Sequence, residues 1–341
     1  MRGQLTDVLS QVGTAAEPIG WLTLALFLLA VALDYVDREY ARYVFVTAWL
    51  LFSLFWATLI YPFFVQDESI IRGVGAVLAA PLSVLVARVL YSGRDELFTL
   101  SRSIPLMGLI YVPFLVSETL REQLVLLVTG HTAWAMNRIG YDPPLVTELS
   151  EAEPYVPAGT NPNMERDIGG KEYAFENTFV FFSDGGGTIT YTIILACTGI
   201  GSMAVIGGLV LAVNAPLGRK LKALSIALPI IYVLNIVRNV FIGISFGHQY
   251  ANFAPELTMT VFALENELRV SYIWADRIIA QSASVVAMVV IFWLVVREVP
   301  EVMDPVEEVL YLLTGEELDL AEALNVDREP TEVSEPVDPA D

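Results

Sequence analysis

Apolar blocks long enough to cross a lipid bilayer limit this chain to few architectures. Crossing the hydrocarbon layer takes roughly 20 predominantly apolar residues in a helix. About seven segments approach that length: 19–33, 43–65, 70–90, 104–117, 190–214, 221–246 and 271–296. With 55% of its 341 residues hydrophobic, the chain reads as all-α, a polytopic transmembrane helical bundle. A transmembrane barrel would instead repeat ~10-residue segments of alternating polarity, a pattern the sequence lacks.

The polar stretches divide the chain. Residues 1–18 form a mixed N-terminal segment without the order of a cleaved signal peptide. Residues 19–117 hold four spans, with Pro81 expected to kink the third. Residues 118–189 are the one large polar region and read as an external loop or cap, with 120–136 as an amphipathic helix that lies at the interface or extends the fourth span. Tyr155, Tyr173, Phe175 and the aromatic run 179–182 give that cap something to bury. Residues 190–296 hold three more spans, and 297–341 read as an acidic, disordered cytoplasmic tail apart from a short helix at 306–313.

Charge sets further bounds. Acidic residues outnumber basic ones 39 to 19, giving a net charge of −20, and the only lysines are Lys171, Lys220 and Lys222. Such an exterior suits a chain solvated in high salt, where its own repulsion is screened. No basic stripe exists, which disfavours nucleic acid as a partner. One cysteine excludes an intramolecular disulfide. Zinc-ligand spacings are missing too, so neither a metal nor an organic cofactor is expected.

Lys and Arg mark cytoplasmic joints. Arg219, Lys220 and Lys222 place one joint inside, as do Arg38 and Arg42, and Arg94 and Arg102. The acidic turn at 66–69 and the 118–189 region then fall outside, as does the N-terminus.

Each of the last three spans carries one residue that apolar helices use sparingly: Cys197, Arg238 and Arg277. At 1.5 Å per residue their depths from the outer surface are about 10, 12 and 9 Å. Three segments thus set their odd residue at one level. An arginine there costs several kcal/mol unless it meets protein, water or a partner. Asn235, Asn239 and Ser245 accompany Arg238, while Gln281 and Ser284 follow Arg277 at helical spacing, so these stripes should face the bundle interior. Gly199, Gly201 and Ser202 should let neighbouring helices approach Cys197. A thiol attacks as thiolate, which adjacent cations favour, and guanidiniums can also hold a developing oxyanion. His131 and His248 are the only imidazoles; His248 lies near the outer end of the Arg238 helix and could assist, although loop histidines are more often solvated.

Blander readings stand beside this one. A lone cysteine in an apolar helix is usually packing, Arg277 could snorkel to headgroups, and Asp276 could pair with nearby bases or open a helix. A transporter would use Arg238 and Arg277 to bind an anionic substrate. A non-catalytic assembly factor would use the external region for docking.

The segments ACTGI around Cys197, RN at Arg238–Asn239 and DR at Asp276–Arg277, one per helix in that order, resemble the exosortase/archaeosortase family of membrane cysteine enzymes. The resemblance runs from the second span to residue 296. It implies recognition of membrane-anchored secreted proteins that end in a Pro-Gly-Phe motif, a membrane helix and a basic tail. It implies cleavage near the motif and lipid anchoring of the new C-terminus, notably on the surface-layer glycoprotein of haloarchaea, with a membrane lipid as acceptor. Cys197 matches the nucleophile that forms an acyl-thioester, Arg238 the proton donor and Arg277 the transition-state stabiliser. Many relatives carry histidine at the position of Arg277.

Overall fold

Among the described residues, six helices are long and apolar enough to cross a membrane. The structure is a computed structural model and describes residues 15–66, 69–94, 97–146, 176–182 and 188–315. The N-terminal segment 1–14, most of the cap (147–175, 183–187) and the tail beyond 315 lie outside the described residues.

The first four helices are α1 (Ala16–Asp34), α2 (Arg38–Tyr61), α3 (Ile70–Tyr91) and α4 (Leu97–Val116). Their starts follow local chemistry. Asp37 caps α2 by accepting from the backbone N–H of Glu39 at 2.9 Å and Tyr40 at 3.1 Å, and Ser69 caps α3 by accepting from Arg72 N–H. Inward aromatic residues then join α1, α2 and α4, where Phe27 meets Trp49 edge-on at 5.4 Å and Phe45 meets Phe98 at 5.3 Å, and Val86, Ala87 and Leu90 bring α3 into the same core. The polar atom in this core is satisfied, since Trp49 Nε1 donates to buried Ser101 Oγ at 2.9 Å.

α5 (Glu118–Arg138) begins at its own Ser117 cap, so it is a separate helix and not an extension of α4. It is not among the candidate spans. Its Val125, Val128 and Met136 pack against a three-stranded antiparallel sheet ordered β1 (Leu145–Val146), β2 (Thr178–Phe182), β3 (Thr188–Thr192). Thr178 pairs with Thr192 and Phe182 with Thr188. The β-branched and aromatic run of these segments favours extended backbone, and Phe179 and Phe181 are buried.

Here the structure corrects the reading of 190–214 as a spanning helix. β3 takes its beginning, Leu195–Cys197 is a 3₁₀ turn, and α6 covers only Ile200–Ala212. Thirteen residues reach about 20 Å, short of the ~30 Å hydrocarbon layer. The bundle is therefore six candidate spans plus one short apolar helix. α6 is pressed onto α4 closely enough that a Cβ at Gly208 would lie 2.6 Å from Met107 N.

α7 (Leu217–Gly247) is followed by short α8 (Pro255–Phe262). The last span, Leu268–Glu298, is not a uniform helix: it runs as α9 (Leu268–Tyr272), a π-helical stretch Ile273–Ala280, and α10 (Gln281–Glu298). Beyond it, Pro300–Met303 is a 3₁₀ turn and α11 covers Asp304–Thr314. Val302 and Met303 are fully buried, so packed structure continues past residue 297, where the sequence suggests a tail.

Candidate active site

Cys197 sits where sheet hands over to helix. Asn177 ends β-pairing by accepting Ile193 N–H at 2.8 Å and donating from Nδ2 to Ile193 O at 2.9 Å. The chain then tightens: Cys197 N–H donates to Ile194 O at 2.8 Å and Thr198 N–H to Leu195 O at 3.1 Å. Gly199 exits in the left-handed region, φ +78°, and α6 begins. Only glycine takes that conformation without a Cβ penalty. Cys197 therefore lies on a turn outside any long helix, unlike the sequence reading.

Arg238 projects from the apolar middle of α7. Asp276 and Arg277 lie in the π-helical stretch, a geometry that recurs at functional sites because its wider turn re-aims side chains. Arg238 Nη2 is ion-paired with Asp276 Oδ1. The other carboxylate oxygen, Oδ2, is 3.4 Å from Arg277 Nη1. Asp276 thus bridges the two guanidiniums; its side chain is 7% exposed, against 20% for Arg238 and 14% for Arg277. Burial of this order is tolerable because the charges compensate one another. The Arg277 guanidinium also lies 5.4 Å from the Tyr272 ring centroid. Its Nε is buried with no hydrogen-bond partner among the described residues.

Cys197, Arg238 and Arg277 open on one cavity of about 350 Å³, so the three residues singled out by depth do meet. The cavity also takes in Arg72 from α3, Arg269 from α9, and Tyr191, Thr190 and Thr192 from β3. Sequence reasoning missed these. Arg72 and Arg269 lie in the first turns of their helices, close to the outer joints where an arginine reads as a surface residue, and Tyr191 lay in what reads as an apolar span. Asp276, placed between two alternatives by sequence, pairs with the bases.

The accompanying polar residues behave variously. Asn235 and Asn239 both donate from Nδ2 to the Cys197 carbonyl oxygen, at 2.7 and 2.9 Å. Gln281 Oε1 instead accepts from Ser69 Oγ at 2.8 Å, tying α3 to α10, and Ser284 Oγ turns back to Ala280 O. Gly199 admits the Asn235 side chain closely, whereas a Cβ at Gly201 would meet nothing within 4 Å. His248 packs among Tyr141, Phe181 and Tyr250 and does not line the cavity. His131 Nδ1 shares a 2.7 Å hydrogen bond with Tyr232 OH.

Burial pushes the Cys197 thiol above its ordinary range; the Ile194 backbone contact and Arg238 oppose this, while the Asp276 charge adds to it. The Tyr191 phenol is pushed well up, chiefly by burial. The cavity brings the Cys197 thiol together with the Asp276 carboxyl group and the guanidinium groups of Arg72, Arg238, Arg269 and Arg277. A carbonyl oxygen entering it would find guanidinium donors, and the sulfur would be within the same enclosure.

Among the described residues no group of three or more His, Cys, Asp or Glu is placed to hold a metal ion.

The molecule is thus a multi-pass membrane bundle in which a thiol and an arginine–carboxylate cluster share one cavity. The chain belongs to the transmembrane exosortase family, whose model matches residues 11–264, more than half of its length. That match takes in Cys197 and Arg238 and ends before Asp276 and Arg277. The chain is 37% identical over 325 residues to archaeosortase A of Haloferax volcanii, covering 92% of this chain and 99% of that protein. It is 36% identical over 328 residues to archaeosortase A of Natronomonas pharaonis, covering 95% of each. No solved structure matches it.

Proposed function

We propose that this protein cleaves C-terminal sorting signals of the Pro-Gly-Phe type from secreted proteins and passes the new C-terminus to a membrane lipid. The observation that carries the reading is the opening of the chain's single cysteine onto the same cavity as the Arg238–Asp276–Arg277 cluster. In this reading the Cys197 sulfur attacks the scissile carbonyl carbon. The tetrahedral oxyanion is held by Arg277, whose N–H donors are aimed at charge that develops only in the transition state. Arg238 supplies a charge-assisted hydrogen bond to the leaving nitrogen. The C–N bond breaks, the amine leaves with the proton that the thiol gave up, and an acyl-thioester remains on Cys197. A lipid nucleophile then displaces the sulfur and restores the thiol.

The site is taken to face the exterior. The basic joints at Arg38–Arg42, Arg94–Arg102 and Arg219–Lys222 favour the cytoplasm, and the Cys197 turn and the start of the last span lie at the opposite ends of their helices. A substrate held by its own membrane helix would present its motif at that level.

The test traps the intermediate. With a tagged substrate, the wild-type chain should give a hydroxylamine-sensitive adduct on Cys197, and Cys197→Ala should give none. Mass spectrometry of the substrate's mature C-terminus should show processing only with the wild type. Normal processing by Cys197→Ala would reject the reading. A membrane-impermeant maleimide added to sealed cells should label Cys197; protection outside with labelling after permeabilisation would reverse the orientation.

A further inference from the structure

The polar groups nearest the sulfur's own backbone have no part in the chemistry above, yet they are costly to bury. Asn239 is fully buried and Asn235 is 9% exposed, both in the middle of an apolar helix. A carboxamide there costs several kcal/mol unless its hydrogen bonds are met. Both are met at one atom: each Nδ2 donates to the Cys197 carbonyl oxygen, at 2.7 and 2.9 Å. That oxygen has two lone pairs, so α7 occupies both. The Tyr191 hydroxyl donates to Asn239 Oδ1 at 3.3 Å, which orients the amide with its nitrogen toward Cys197. Gly199 completes the fit. A Cβ there would stand 3.1 Å from Asn235 Cγ, so a side chain two residues after the cysteine would displace one donor.

Asn235 and Asn239 are four residues apart, and Arg238 lies in the same helical turn. One turn of α7 therefore carries both the guanidinium that enters the cavity and the amides that grip the cysteine's peptide. We infer that Asn235 and Asn239 are positioning residues: they fix the backbone of Cys197 so that its sulfur is registered against Arg238. The inference rests on the reading of Cys197 as nucleophile. A carbonyl anchored from two directions cannot rotate its peptide plane. The 3₁₀ turn has too few internal hydrogen bonds to prevent that rotation by itself.

The single cysteine makes the test clean, since alkylation of the full-length protein in membranes reports one site. Asn235→Leu and Asn239→Leu keep the branched side-chain shape and remove the donor. Each should slow thioester formation at saturating substrate at least about tenfold and leave KM within about twofold. Each should also slow iodoacetamide alkylation of Cys197 at neutral pH, and Arg238→Lys should do the same. The decisive readout is the double variant Asn239→Leu/Arg238→Lys. If the amides act by registering sulfur and guanidinium, the double variant should be little slower than the slower single variant, because both changes break one arrangement. Effects that multiply would overturn the inference, as would wild-type thioester formation in both leucine variants. Should Asn239→Leu fail to fold, Asn235→Leu with Arg238→Lys supplies the same comparison. Full processing by Cys197→Ser would strike the nucleophile reading instead, and a slow Cys197→Ser with fast leucine variants would strike only the positioning role.

Discussion

Asp276 decides whether two arginines can share a cavity. Each guanidinium buried alone would carry a desolvation cost of several kcal/mol, and the two would repel. One carboxylate in contact with both removes much of that cost. Replacing it should hurt far more than breaking an exposed pair. Asp276→Asn should lower stability by about 3–5 kcal/mol by leaving cations uncompensated, read as a fall in the thermal midpoint in detergent. By contrast, Lys222 is 63% exposed where it meets Glu298, and Lys222→Met should change stability by less than about 1 kcal/mol. The thiol supplies a pH prediction. Its folded pKa is raised, chiefly by burial. The neutral form therefore persists through the pH range where a free cysteine ionises. Alkylation of ligand-free Cys197 should be slower than that of a cysteine peptide near pH 8 and should keep rising at higher pH. The same shift makes its contribution to stability complete below the unfolded pKa and lost as pH rises through the folded one. A rate plateau at or below pH 8 would contradict this.

The elements place these residues through irregular joints. β3 delivers Cys197 to the edge of the bundle because strand pairing consumes the backbone donors up to Thr192; the 3₁₀ turn and Gly199 then redirect the chain into α6. Gly199→Ala would need a φ of +78° and would crowd Asn235. It should cost about 1–2 kcal/mol for the backbone alone and should slow thioester formation. The loop after α7 holds strain of the same kind. Ala254 and Ala263, at the two ends of α8, have φ of 43° and 51°. Ala263 occupies the position after a helix where glycine is preferred. Ala263→Gly should therefore raise stability by roughly 0.5–1 kcal/mol, measurable as a higher thermal midpoint. An unchanged or lower midpoint would mean that the left-handed turn is not maintained in the membrane.

At the scale of the molecule, charge and span number act together. Basic residues of the joints meet acids that follow the last span: Arg219 pairs with Glu301 at 2.6 Å and Arg94 with Glu308 at 2.8 Å. The segment from Pro300 to Thr314 is thereby fastened across one end of the bundle, with the Arg94 guanidinium 3.8 Å from the Tyr311 ring centroid. A net charge of −20 over the chain still leaves an excess of acids to repel one another. The screening length falls from about 10 Å at 0.1 M salt to about 3 Å at 1 M. Raising salt across that range should increase the thermal midpoint, since the long-range repulsion is screened more than the short contacts. A falling midpoint would show that the ion pairs outweigh the repulsion.

Much of this was written in local order. Apolar length gives the long helices, because a bilayer offers no partner for an exposed peptide group and each span must satisfy its own. The spacing of Arg238 and Arg277 from their helix ends places them at one level. Local order could not decide what β3 does, because an apolar, β-branched run satisfies its hydrogen bonds equally well within a helix or across a sheet. Its partner in the sheet, β2, lies in a region that reads as a loop. That choice moved Cys197 from a membrane helix to a turn and left six candidate spans with one short helix beside them. Nor could it show that Asp276 spans two guanidiniums, or that two amides from α7 close on the cysteine carbonyl. The Arg238–Asp276 pair and the two amide contacts join residues 38 to 42 positions apart, and only packing of one helix against another fixes which side chains face each other.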